Sequence, residues 1–131
     1  MSEIATRHAY KYFGKPSTYS SASDLVFKRY QNSAFERGLD FLMSFECFVE
    51  MSQNPCFYCG SKPMNKSRTV NGKYFVYNGI DRKNNLIGYV MDNVVTCCAI
   101  CNTAKSTMPI DCFEDWIRRV YWNFCIDKQF Q

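Results

Sequence analysis

Cys56-Phe57-Tyr58-Cys59-Gly60 and, further along, Cys98-Ala99-Ile100-Cys101-Asn102 with Lys105 behind it enclose the stretch whose reading decides the fold. Each Cys-x-x-Cys pair turns a tight knuckle that aims two thiolates at one point. Four thiolates from two knuckles complete a tetrahedral zinc shell, so Cys56, Cys59, Cys98 and Cys101 are the expected ligands of a structural zinc ion. The gap between the pairs is longer than in a simple zinc ribbon. It carries Asn78-Gly79-Ile80-Asp81-Arg82, then Gly88-Tyr89 and Asn93, and has room for a hairpin and a loop.

Working outward, 131 residues at 47% hydrophobic and 17% aromatic content predict one domain with a real core. Residues 1–22 read as a flexible or surface-draped arm, and 23–131 as a single zinc-containing domain with its motif core at 56–105. No apolar run reaches the length of a membrane span. The N-terminus has no apolar segment of the secretory kind, and eight cysteines without one predict reduced thiols in a cytoplasmic, reducing compartment. Four thiolates and one dication lower the formal net charge of +4 to +2, so the distribution of charge, rather than its sum, has to argue for nucleic acid.

In the arm, Tyr10, Tyr12, Phe13 and Tyr19 alternate with Arg7, Lys11 and Lys15. Such a pattern fits an arm contacting nucleic acid, or one packing its aromatics on the domain. A helix is predicted over Ser23–Arg37, capped within Ser21-Ala22-Ser23-Asp24 and ended by Gly38. Val26, Tyr30 and Ala34 form its apolar stripe with Phe27 beside it, while Lys28, Arg29 and Arg37 lie off the stripe, facing either phosphates or solvent. Leu39–Met43 reads as a short strand. Ser44 caps a second helix, Phe45–Gln53, with Phe45, Phe48 and Val49 inward. Asn71-Gly72 is a tight-turn signal. Lys73–Tyr77 reads as a strand leading into Ile80-Asp81-Arg82, and Val94–Cys97 as another. The second knuckle opens a helix over Ala99–Lys105. Pro109 starts a last helix to about Phe124, whose stripe of Phe113, Trp116, Ile117, Val120, Tyr121 and Phe124 reads as core. Cys47, Cys112 and Cys125 read as small buried apolar residues, while Cys97 competes with Cys98 as a ligand but lies one residue too far from Cys101 for the usual knuckle.

A strand ending in Ile-Asp-Arg, a loop with Gly-Tyr and Asn, a second strand, then a helix carrying Cys-x-x-Cys-Asn-x-x-Lys resembles the HNH, or His-Me finger, endonucleases. The pattern is similar to phage-type HNH proteins and to recombination endonuclease VII, which also place two zinc knuckles around the motif. The resemblance implies an α+β fold: a ββα-metal (HNH) finger with a four-cysteine zinc site, flanked by N-terminal and C-terminal helices. It further implies a metal-dependent cleavage of DNA phosphodiester bonds, zinc being structural and Mg²⁺ or Mn²⁺ catalytic, in a protein of phage-like type that acts inside a host cell.

Carried over, the resemblance gives Asp81 and Asn102 as ligands of the catalytic ion, Asn93 as the residue holding the loop, and Lys105 as a residue near DNA phosphate. The family's general-base histidine falls at Arg82, and an arginine keeps its proton at any useful pH. Arg82 is therefore expected to meet a phosphate. The remaining base candidates are His8, the only histidine, Tyr77, Tyr89 and a metal-bound hydroxide. Lys62, Lys66, Arg68, Lys83 and Lys105, with Arg82, are expected to form a basic face for DNA. The alternative function is an HNH-like module that binds DNA or a partner protein without cleavage.

Overall fold

The computed structural model describes residues 19–130. Residues 1–18, which hold His8 and most of the expected arm, and Gln131 lie outside the described residues.

The first helix, α1 (Ala22–Glu36), starts where Ser21 turns extended and its hydroxyl accepts the Asp24 N–H at 3.1 Å. It ends at Gly38, whose φ of +67° lets Gly38 and Leu39 donate back to the carbonyls of Phe35 and Ala34. In α2 (Phe45–Ser52) the Ser44 hydroxyl accepts the Cys47 N–H in the same way. The two helices bury Val26, Phe27, Ala34 and Phe48 against Ile80, Tyr89 and Val94. Phe48 has no exposed surface and sits 5.4 Å from the Phe27 ring and 5.2 Å from the Tyr30 ring.

Strands are short. β1 (Asn65–Lys66) pairs with β2 (Val76–Tyr77), so the strand expected over Lys73–Tyr77 is reduced to its last two residues. The expected turn forms beside it: Asn71 and Gly72 both take positive φ, and Val70 and Lys73 exchange two backbone hydrogen bonds across it. β3 (Gly79–Arg82) and β4 (Val94–Cys97) form the central antiparallel pair, Gly79 opposite Cys97 and Arg82 opposite Val94. The helix α3 (Ala99–Lys105) follows directly and completes a ββα unit. Leu39–Met43, expected as a strand, makes only one bridge, Phe41 to Tyr89. That bridge depends on Gly88, where a Cβ would lie 2.5 Å from the Asp40 carbonyl oxygen.

The last helix, α4 (Ile110–Val120), runs on as a π-helical segment, Tyr121–Ile126, and a 3₁₀ turn, Asp127–Phe130. Here the structure corrects the sequence reading. Phe113 alone of the expected stripe is buried, stacked edge-on against Tyr58 at 5.2 Å, while Trp116, Ile117, Val120, Tyr121 and Phe124 are exposed. Periodicity shows that a face is apolar and leaves open how much of it the domain covers. No helix among the described residues is long and apolar enough to cross a membrane.

Phe48→Ala should cost about 3–5 kcal/mol, the usual range for emptying a filled aromatic site. Urea denaturation followed by far-UV circular dichroism measures it.

Candidate functional site

The sulfur atoms of Cys56, Cys59, Cys98 and Cys101 lie within 4.8 Å of one another. The first knuckle is shaped by a Gly60 N–H bond to the Cys56 carbonyl, with Gly60 at φ +76°, and is pinned to the sheet by Phe57 N–H donating to the Thr96 carbonyl at 2.8 Å. The second knuckle is the N-terminus of α3, where Cys98 Sγ accepts the Cys101 N–H. A tetrahedral zinc thiolate with bonds of about 2.3 Å has sulfur–sulfur edges of about 3.8 Å, and Cys59 and Cys98 stand 3.7 Å apart. Four convergent sulfurs with no oxygen donor among them are placed to bind a metal ion of the soft, thiolate-preferring kind.

Thiol chemistry at the cluster is uneven. The Ser61 hydroxyl beside Cys59, 3.2 Å away, draws that thiol down to about 6, whereas burial pushes Cys101 up. Cys97 is buried outside the group and directs its Sγ at the Cys98 carbonyl. Burial raises its pKa and keeps it a neutral thiol.

Beside the cluster, α1 and the ββα unit enclose a cleft of about 710 Å³. Asp81 and Asn102 both line it, Asp81 from the middle of β3 and Asn102 from α3. Arg82, Arg29 and Arg37 line it too, together with Asn85 and the tyrosines Tyr30, Tyr77 and Tyr89. Asp81 is only 5% exposed. Its Oδ2 accepts the Tyr58 hydroxyl at 2.8 Å and pairs with the Lys105 ammonium at 3.2 Å, while its Oδ1 makes no hydrogen bond among the described residues. Lys105 is fully buried and also donates to the Arg82 carbonyl at 3.1 Å.

Arg82 is buried at the cleft wall, and its Nη1 donates to the carbonyls of Asn85 and Ile87 at 2.6 and 3.0 Å. Its guanidinium and that of Arg37 both lie over the Tyr89 ring, at 5.5 and 5.9 Å. Asn93 closes the same loop. Its amide nitrogen donates to the carbonyls of Asn84, Ile87 and Gly88, and its oxygen accepts the Asn84 N–H.

Four of the expected site residues, Asp81, Arg82, Asn93 and Asn102, thus gather around one loop and one cleft, but the expected basic face does not form as read. Lys105 is withdrawn into an internal ion pair, because the charge of Asp81 beneath the sheet needs a partner out of water. Arg82 spends donors on its own loop. Lys62, Lys66 and Arg68 are exposed and Lys83 is half-buried, and none of the four lines the cleft. The cations that do line it beside Arg82 are Arg29, from α1, and Arg37, the residue that caps its C-terminal end. They were legible only as charges off an apolar stripe. Tyr58 was legible only as a spacer between two cysteines, and nothing in its sequence context points to Asp81.

Burial and the bond to Asp81 raise the pKa of Tyr58, and burial pushes Tyr30 up to about 12. Both keep their protons at neutral pH: Tyr58 donates to Asp81, and Tyr30 accepts the Ile80 N–H.

The fold is a small α+β one of HNH-like architecture, with a cluster of four cysteines placed to bind a metal. In structure the chain is similar to the rare-cutting HNH restriction endonuclease PacI, with a TM-score of 0.53 over 84% of this chain and 89% of that one. Sequence identity there is 19%, and the likeness bears on the fold. In sequence the chain is 34% identical over 115 residues to an uncharacterized protein of Acanthamoeba polyphaga mimivirus. The alignment takes in 85% of this chain and 20% of the viral protein, so the chain spans about a fifth of that relative's length. No known protein family's sequence profile matches the chain.

Replacement separates the two neighbouring thiols. Wild type should purify with one metal ion per chain, Cys98→Ala should lose it, and Cys97→Ala should keep it. Elemental analysis of the desalted proteins reads both.

Proposed function

We propose that this chain is an HNH-type endonuclease module that hydrolyses DNA phosphodiester bonds with a divalent ion, its four-cysteine centre holding structural zinc. One observation carries the reading: Asp81 and Asn102 open onto the same cleft, walled by the arginines Arg29, Arg37 and Arg82. A carboxylate and an amide oxygen are hard donors that suit Mg²⁺ or Mn²⁺, whereas the thiolates suit zinc, so ligand type keeps two metals apart. A bound Mg²⁺ or Mn²⁺ ion supplies Lewis-acid polarisation of the phosphate and stabilises the leaving oxygen.

The chain's own residues do the rest. The arginines bring positive charge to a phosphate, and the buried Asn85 Nδ2, which lacks a partner among the described residues, is one further donor at the wall. Arg82 stands at the position of the family's histidine, stabilises charge on the phosphate from the cleft wall, and takes no part in proton transfer. Asp81 and Asn102 would hold the ion through two protein oxygens, and Lys105, which offsets the charge of Asp81, would make that hold weak. Lys62, Lys66, Arg68 and Lys83 then serve as phosphate contacts outside the cleft. Similarity to a mimivirus protein supports a virus-encoded protein acting in its host cell, and the paired zinc knuckles support the likeness to recombination endonuclease VII.

Nicking of supercoiled plasmid tests the proposal. Wild type with Mg²⁺ or Mn²⁺ should convert plasmid to open circles, and Asp81→Ala and Asn102→Ala should fall to background while retaining zinc. Binding to duplex DNA should weaken steeply as salt rises, each lost phosphate contact lowering the slope by about one. Salt-dependent binding with no nicking by wild type assigns the chain to a DNA-binding role without cleavage.

A further inference from the structure

Two donors hold Asp81 Oδ2, and both come from the four-cysteine centre. Tyr58 lies inside the first knuckle, between the ligands Cys56 and Cys59, and its hydroxyl reaches Oδ2 at 2.8 Å. Lys105 ends α3, the helix whose first turn holds Cys98 and Cys101, and its ammonium reaches the same oxygen at 3.2 Å. The knuckle that carries Tyr58 is in turn fixed to β4 through Phe57 and Thr96. A carboxylate held at one oxygen by two donors is restrained about its side-chain torsions, and Oδ1 is left without a partner among the described residues.

We infer that Tyr58 is a positioning residue for Asp81: with Lys105 it fixes Oδ2 and presents Oδ1 to a divalent cation. The inference rests on the proposed role of Asp81 as an ion ligand. It adds that the bond from the Tyr58 hydroxyl sets how well the cleft holds its ion. The two donors differ in kind. Lys105 brings charge, which offsets the carboxylate and weakens its pull on a cation. Tyr58 brings no net charge, so removing its hydroxyl takes away a hydrogen bond and leaves the charge of the site as it was. Partners of this sort behind a metal ligand are commonly worth ten- to a hundredfold in metal affinity.

The test is Mn²⁺ binding to the full chain, zinc-loaded and free of DNA, by titration calorimetry, with zinc content measured on the same samples. Wild type should bind Mn²⁺ weakly and lose that binding in Asp81→Ala. Tyr58→Phe should raise the Kd about tenfold or more at unchanged zinc content. Ser61→Ala changes the surroundings of Cys59 without touching Asp81 and should keep the wild-type Kd. An unchanged Kd in Tyr58→Phe overturns the inference and leaves the role of Asp81 standing. An equal loss in Ser61→Ala also overturns it, since any disturbance of the centre would then suffice. Wild type without Asp81-dependent Mn²⁺ binding removes Asp81 as a ligand, and the inference falls with it.

Discussion

Four sulfur atoms brought within 4.8 Å of one another are the constraint on which the rest of this molecule depends. The strands are too short to hold themselves, two residues each in one pair and four each in the other, and an isolated two-stranded ribbon is marginal in water. The knuckles convert this weakness into a defined joint. One is hydrogen-bonded to β4 and the other begins α3, so closing the centre sets the ββα unit in one arrangement. Where metal ligands meet only in the folded chain, binding free energy becomes folding free energy.

The aromatic core under α1 and α2 is the second support, and it meets the joint at β3. Tyr30 links them: its ring packs on Phe48 and its hydroxyl accepts the Ile80 N–H at 3.1 Å. β3 is buried along its whole length for that reason, which is unusual for a strand that carries Asp81 and Arg82. Both charges are tolerated because each has partners. An unpaired charge in that place would cost several kcal/mol, and removing one member of a buried pair about 3–5 kcal/mol. The pair also shapes the electrostatics of the cleft, since Lys105 leaves the arginines as its dominant charge and favours an anion as the first occupant.

Much of this was legible from residue spacing. The paired cysteines, the Ser21 and Ser44 caps, the Gly38 terminus, the Asn71-Gly72 turn and the order strand, loop, strand, helix are all local signals, read within a few residues of chain. What was not legible depends on distance in sequence. Lys105 looks like a surface lysine at the end of a short helix until β3 brings Asp81 against it. Arg29 and Arg37 become cleft residues only because α1 crosses the ββα unit. Tyr58 becomes a donor to Asp81 only once the knuckle is folded onto β4. The last helix fails differently: its apolar stripe is real, but past Phe113 the domain ends and the stripe continues into solvent.

Zinc K-edge X-ray absorption on the purified, reduced protein tests the central claim most directly, because it counts the atoms that hold the joint. Four sulfurs at about 2.3 Å and no nitrogen or oxygen in the shell is the predicted result. A shell of fewer than four sulfurs, or protein that is folded and free of zinc, would contradict it.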